Sequence, residues 1–480
     1  MRSLKFNAVM NMILTSSSMI FPLITVPYVS RVLEPSGMGA VSFAQSLITY
    51  FSIFSLLGIP MYGVRACAQV RDDPKELGKT VEELLIIILC STSLIYTIYL
   101  VCIFAVPRLS QDKLLYLIFS FGIWLASFGV EWFYQAIEQY GYITIRSILF
   151  KFVGLILMFL FVHDADDYHM YGFMVAFTGY GANVVNVFRL RKLIVFQPLH
   201  SLCIRRHFKP MRSFFVSSVS SGLYAQADIV LLGFLSTNAI VGIYQLVAKI
   251  KNMFVMAINS IVNVMLPRLS YYAKKSSDQY NDLLIKNFNT IFIFSFAGIG
   301  VAYLCATDII ALLGGDKYSA AHVPFLCILP AFLFVSLNTV LSQYLISSGG
   351  ERQYAIANFM GLASSVLYCL FFIPKLGAMG AALSCSLCEF TALLVRCWFA
   401  KSYLKSVAKN IELWQAPCSA LVAFSLTLII NSMINIQNSI LHIGFIFCLF
   451  GLFFLIVLIF TREKIVCSVI VAVVMNIRSF

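Results

Sequence analysis

Charge is what this sequence has least of: Asp, Glu, Lys and Arg make up 11% of its 480 residues, while 60% are hydrophobic. A soluble domain carries about 25% charged and about 45–50% apolar residues. With mean hydropathy at +0.89, the chain lacks the polar coat that a soluble enzyme, a nucleic-acid-binding domain or a disordered protein needs. Histidine is scarce too. The six that occur are dispersed, and no P-loop, HExxH or paired-cysteine zinc pattern accompanies them. No loop is long enough to hold an inserted catalytic domain, so neither an enzyme nor a bound metal or cofactor is expected. The 13 cysteines lie scattered, mostly inside apolar runs such as those around Cys102, Cys305 and Cys369, and form no disulfide framework. Cys385 and Cys388 make a lone CxxC with no second pair, which reads as helix packing.

What is abundant is apolar sequence of membrane-crossing length, about 20 residues per span. Fourteen such segments lie near 7–30, 38–62, 80–105, 112–136, 142–163, 169–188, 211–234, 240–266, 286–312, 322–348, 353–373, 377–400, 411–431 and 440–460. The first is too long for a signal-peptide core and has no cleavage site behind it, so it reads as a retained span. The apolar tail from Ile465 to Val474 is too short to cross and is expected to lie in the interface. The expected fold class is therefore an all-α integral membrane protein with about 14 transmembrane helices. Basic residues set its orientation. The N-terminus and every second loop after it carry 27 of the 34 Lys and Arg, the alternate loops carry five, and Lys249 and Lys251 lie within a span. That bias puts both termini in the cytoplasm. The net charge of +13 is thus a topology signal rather than a nucleic-acid footprint.

The largest basic cluster, Arg189 to Arg212, divides the chain. We read 1–190 as an N-terminal six-helix bundle, 191–210 as a cytoplasmic basic linker, 211–400 as a second six-helix bundle, and 401–480 as two extra helices with the interfacial tail. A shift of 203 residues superimposes Gly39 on Gly242, Phe51 on Phe254 and Arg65 on Arg268. Each unit has an even number of spans, so the repeat is parallel, and transport sites in such folds lie between the halves.

Ionisable residues inside spans are costly and therefore candidates for function. Asp228 and Lys249 lie at similar depth in one helical hairpin, either as a binding pair or as a lock on that hairpin. Glu131 and Arg146 face each other across another, with Lys151 about two turns deeper. Glu389 is near mid-membrane and shares a helix face with Arg396. Arg65 and Arg268, at cytoplasmic helix ends, read either as anchors or as symmetric cationic gates.

Three stretches carry a family likeness. The first joins Pro27-Tyr28-Val29-Ser30-Arg31-Val32-Leu33 to Gly58-Ile59-Pro60-Met61-Tyr62-Gly63-Val64-Arg65. The second is Glu131-Trp132-Phe133-Tyr134-Gln135-Ala136 with Ile145-Arg146-Ser147, and the third is Gly242-Ile243-Tyr244 with Lys249. The chain resembles the bacterial polysaccharide repeat-unit (Wzx-type oligosaccharide) flippases of the MATE-like exporter superfamily. The resemblance implies two six-helix bundles plus two helices in the bacterial inner membrane. It also implies alternating-access movement of an undecaprenyl-diphosphate-linked oligosaccharide, such as an O-antigen or capsule unit, and possible association with a glycan polymerase. The substrate-binding candidates are Arg31, Arg65, Arg146, Lys249 and Arg268. Glu131, Asp228 and Glu389 are candidate coupling or structural acids. The first span carries no charge before Arg31, so a mechanism needing one there must draw it from another helix. A multidrug or cation exporter of the same architecture is the competing reading, and it would want a dominantly acidic cavity.

Overall fold

The structure is a computed structural model describing residues 4–263, 265–275, 277–434 and 436–467. Every regular element among the described residues is helical. The chain forms two compact units, Met1–Gly242 and Ile243–Phe480. The first contains α1 (Leu4–Leu56), α2 (Ile59–Gln69), α3 (Pro74–Ala105), α4 (Pro107–Ser110), α5 (Lys113–Ser127), α6 (Glu131–Ala136), α7 (Tyr140–Phe161), α8 (Tyr168–Ala176), α9 (Ala182–Leu190) and α10 (Arg205–Leu235). It ends in the first turn of α11 (Asn238–Asn263). The second takes up the rest of α11, then α12 (Leu266–Lys275), α13 (Ser277–Leu304), α14 (Ala306–Gly314), α15 (His322–Ser347), α16 (Glu351–Phe399), α17 (Lys401–Val407), α18 (Gln415–Met433) and α19 (Ser439–Phe460).

Eleven helices among the described residues are long and apolar enough to cross a membrane. Two hold internal breaks. In α1, Glu34 sits at φ 62°, just before Pro35; the proline ring excludes helical backbone from the residue ahead of it. In α16, Gly377 takes φ 55°, which costs glycine little. Segment 168–190 is not among the eleven; within it a π-helical turn, Phe177–Gly181, separates α8 from α9. The apolar tail expected at 465–474 is described only to residue 467; the rest lies outside the described residues.

Helix ends follow local chemistry. Asp73 accepts the Lys75 and Glu76 amides at the start of α3, and Asn438 accepts those of Ile440 and Leu441 at the start of α19. Each cap satisfies donors that a helix leaves open. In the second unit, α19 buries Ile446, Phe450, Phe454 and Leu458, one residue per turn. Phe450, Phe454 and Leu458 belong to the same apolar cluster as the small residues Ala416, Ala420 and Ala423 of α18. The other faces of α19 are open, with Leu441 at 65% and Phe460 at 82% exposure, as lipid-facing side chains should be. In the first unit, Gly39 and Gly242 mark a close helix crossing. A Cβ on Gly39 would meet the Asn238 carbonyl oxygen at 1.8 Å, and one on Gly242 would meet that of Pro35 at 1.8 Å.

Candidate functional site

The first unit holds a cavity of ≈ 520 Å³. Its wall begins at α6, which two left-handed residues bracket: Val130 at φ 38° and Glu138 at φ 57°. A β-branched residue there is uncommon, and the surrounding fold must impose it. The turn buries Trp132, Phe133 and Tyr134 against α2 and α3, and leaves Glu131 facing the cavity. Tyr134 donates to the Asn186 carbonyl at 2.8 Å and so ties α6 to α9.

Arg146, on the second turn of α7, is 6% exposed and also lines the cavity. Its Nη2 donates to Glu131 Oε2 at 3.1 Å. Its Nε and Nη1 are buried without a hydrogen-bond partner. Guanidinium donors are strong, so leaving two unmet is expensive unless something else fills them. The indole nitrogen of Trp132, on the same wall, is likewise buried and unmet.

Lys151 lies farther along α7, where its Nζ donates to Ser17 and Ser18 of α1 at 3.1 and 2.8 Å. It lines this cavity and a second one of ≈ 280 Å³ bounded by Phe21, Pro22 and Gln45. The charge missing from the first span before Arg31 is therefore placed beside it by α7. The larger cavity's ionisable lining is Glu131, Arg146 and Lys151, which leaves it net positive.

The basic linker docks on the same unit through a network that composition alone did not reveal. Glu83 has a fully buried side chain. It accepts from Arg206 Nε at 2.7 Å and from the Cys203 amide at 2.6 Å, and it pairs with His207 Nε2 at 2.6 Å. Tyr62 Oη closes the chain on His207 Nδ1 at 2.8 Å. Nothing in the sequence distinguishes Glu83 from the neighbouring acids of α3; its full burial and its partners Arg206 and His207 do.

The other candidates are not gathered at this cavity. Arg31 and Arg65 are exposed on α1 and α2. Asp228 is half-buried on α10 and accepts the Ile229 amide at 2.9 Å. In the second unit, Lys249 is half-buried on α11 and Arg268 is exposed on α12. Glu389 accepts from Asn338 Nδ2 at 2.8 Å, while Arg396, 4% exposed, donates to Asn358 at 2.6 Å. The two share α16, but each has its own amide partner. Outside the spans, Asp167 accepts the amides of His163 and Asp164, and these bonds hold its carboxyl below the usual range.

Comparison with known proteins places these features. The family model described as "Polysaccharide biosynthesis protein" matches residues 4–273. A protein of Escherichia coli (strain K12) designated an O-antigen transporter is 23% identical over 379 residues, covering 76% of this chain and 89% of its own length. Among solved structures, the lipid II flippase MurJ in an inward closed conformation superimposes with a TM-score of 0.75 at 14% identity, over 95% of this chain and all of its own. An inward-facing multidrug resistance MATE transporter superimposes with a TM-score of 0.64 at 10% identity, over 82% of this chain and 96% of its own. The fold is the one these transporters share.

Proposed function

We propose, from the premise that this chain belongs to the polysaccharide biosynthesis protein family, that it is a lipid-linked oligosaccharide flippase. Its cargo is an undecaprenyl-diphosphate-linked repeat unit of an O-antigen, a capsule or a related surface polysaccharide. It moves that cargo from the inner to the outer leaflet of the bacterial cytoplasmic membrane by alternating access.

The observation that carries this reading is the chemistry of the first unit's cavity. Arg146 presents two buried N–H groups with no partner, 15 residues from the carboxylate that steadies it. A planar guanidinium grips phosphate oxygens through paired bonds, which a carboxylate-lined exporter cavity could not offer. Lys151 adds a point charge held in place by Ser17 and Ser18. Low local dielectric strengthens both toward a diphosphate. Arg31, Arg65, Lys249 and Arg268 are read as further cationic contacts along the path. Glu131, Asp228 and Glu389 are read as acids that couple or brace it. Breaking α1 at Glu34 and α16 at Gly377, and counting the interrupted 168–190 segment, brings the eleven long helices to fourteen spans. The repeat units are then 1–190 and 211–400, joined by 191–210 and followed by 401–480. Both termini face the cytoplasm, where a glycan polymerase is a candidate neighbour in the same membrane.

The MATE-like fold favours a second reading, export of drugs or cations. A net positive cavity weighs against a cationic cargo. Complementation separates them. The wild-type chain should restore surface glycan to a strain lacking its own flippase. A chain that confers drug resistance instead, with no glycan at the surface, would replace the flippase reading by the exporter one.

A further inference from the structure

A third concavity, of ≈ 890 Å³, opens on the flank of the first unit, against α7 and α9. It differs from the ≈ 520 Å³ cavity in its lining. Ile145 and Leu149 line it and are 65% and 57% exposed, so the groove opens toward lipid. Its two ends differ in polarity. Toward the start of α7 lie Gln139, Tyr142 and Arg189; farther along α7 lie Leu149 and Phe150.

Charge at the polar end is unbalanced. Glu138 is neutralised by Arg71 at 2.8 Å. Arg146 is paired with Glu131. Arg189 forms no ion pair among the described residues. Its Nη2 donates to Gln139 Oε1 at 2.8 Å, and its guanidinium lies 3.9 Å from the centre of the Tyr142 ring. Stacking and one hydrogen bond fix the plane of the guanidinium while leaving other donors for an anion. Arg146 lines this groove as well as the ≈ 520 Å³ cavity, so one buried guanidinium stands in the wall of both.

We propose that this groove is the docking site at which the cargo's prenyl diphosphate leaves the lipid phase: Arg189 takes the diphosphate, the Leu149 end takes the first prenyl units, and Arg146 receives the head group next. The proposal rests on the flippase reading. Two observations favour the cargo over a resident phospholipid. The groove's polar end offers an excess cation for a doubly charged head. Its wall also shares Arg146 with the ≈ 520 Å³ cavity, a link to the proposed transport path that a structural lipid would not need.

The test measures binding of a long-chain polyprenyl diphosphate to the purified full-length protein in detergent, by native mass spectrometry. Phosphatidylglycerol and inorganic pyrophosphate serve as comparators. Arg189→Gln removes the cation. Leu149→Trp fills the lipid-facing end without changing charge and, on an exposed position, without disturbing packing. Phe173→Trp, lipid-facing but outside the groove, is the control. Both groove variants should weaken polyprenyl diphosphate binding about tenfold or more, with Phe173→Trp near wild type and phosphatidylglycerol unaffected throughout. Pyrophosphate should depend on Arg189 and not on Leu149. Unchanged polyprenyl diphosphate binding in Leu149→Trp overturns the site. Equal loss of phosphatidylglycerol in both variants overturns the cargo assignment and makes the groove a general anionic-lipid site. A wild-type protein that binds no polyprenyl diphosphate defeats the flippase reading itself, an outcome distinct from intact binding in the variants.

Discussion

Arg146 holds a charge that is costly to bury. It is buried, with one carboxylate partner and two unmet donors. Truncating it would leave a hole where the buried guanidinium and its stem pack, along with an unpartnered Glu131 whose side chain is 39% exposed. Arg146→Ala would therefore confound folding with transport, and Arg146→Lys is the sharper probe. It keeps the charge and loses the planar fork. We expect Arg146→Lys to remain inserted and abundant while surface glycan falls about tenfold or more. Wild-type glycan from this variant, at matched protein level, would reduce Arg146 to a structural partner of Glu131. The same comparison applies to Arg65 and Arg268, which lie exposed on the short helices α2 and α12. Arg65→Lys should lower surface glycan markedly and Arg268→Lys less so. Full activity in both would make them topology anchors, since an anchor tolerates lysine. The Glu131–Arg146 contact was legible in the sequence, because a hairpin brings the two within reach. The Lys151 bonds to Ser17 and Ser18 were not: they join residues more than 130 positions apart, and the serines carry no distinguishing pattern.

Among the elements, helices were easy to read and their interruptions were not. Apolar runs located α3, α7, α10 and α19 because each needs only length and composition. The segment expected at 112–136 hides a break after Ser127, where the chain turns through Val130 into α6. No glycine or proline stands at Val130 itself, so the positive φ has no local sequence marker. The terminal hairpin has a latch that composition could not show. Glu463, beyond the end of α19, is 1% exposed and accepts the Val466 amide at 2.7 Å. Burial, reinforced by the neighbouring Glu412 carboxyl, raises its pKa against the pull of that backbone bond. A carboxyl whose pKa is raised on folding favours the protonated folded state, so its contribution to stability is full at low pH. That contribution shrinks as pH rises through the folded value. Glu463→Gln should therefore match the wild-type melting temperature near pH 4 and exceed it at pH 8. Equal melting temperatures at pH 8, or a lower one for the variant, would show that the carboxylate is ionised and welcome where it sits.

At the scale of the whole molecule, the sequence speaks through its loops rather than its spans. A bias of 27 to five in basic residues is the ground for the proposed orientation, and it needs no reference to packing. The structure adds a reason why the linker can serve as the reporter of that orientation. Arg206 and His207 are committed to Glu83, and the Cys203 amide is as well, yet the Cys203 side chain is exposed. A thiol fixed in place on the linker but open to solvent reports which side that linker occupies. At the opposite ends of the helices, Asp166 lies exposed in the acidic turn after α7. The experiment retains Cys203 as the sole cysteine in one variant and places Asp166→Cys as the sole cysteine in another. A membrane-impermeant maleimide applied to intact cells, in which only the periplasmic face is reached, should label the Asp166→Cys protein and leave Cys203 unlabelled. Permeabilising the inner membrane should expose Cys203. Labelling of Cys203 in intact cells, with Asp166→Cys protected, would invert the topology. The Arg146 cavity would then lie toward the periplasm, where a cargo built in the cytoplasm would meet it after crossing rather than before. The proposed direction of transport stands or falls with that single readout.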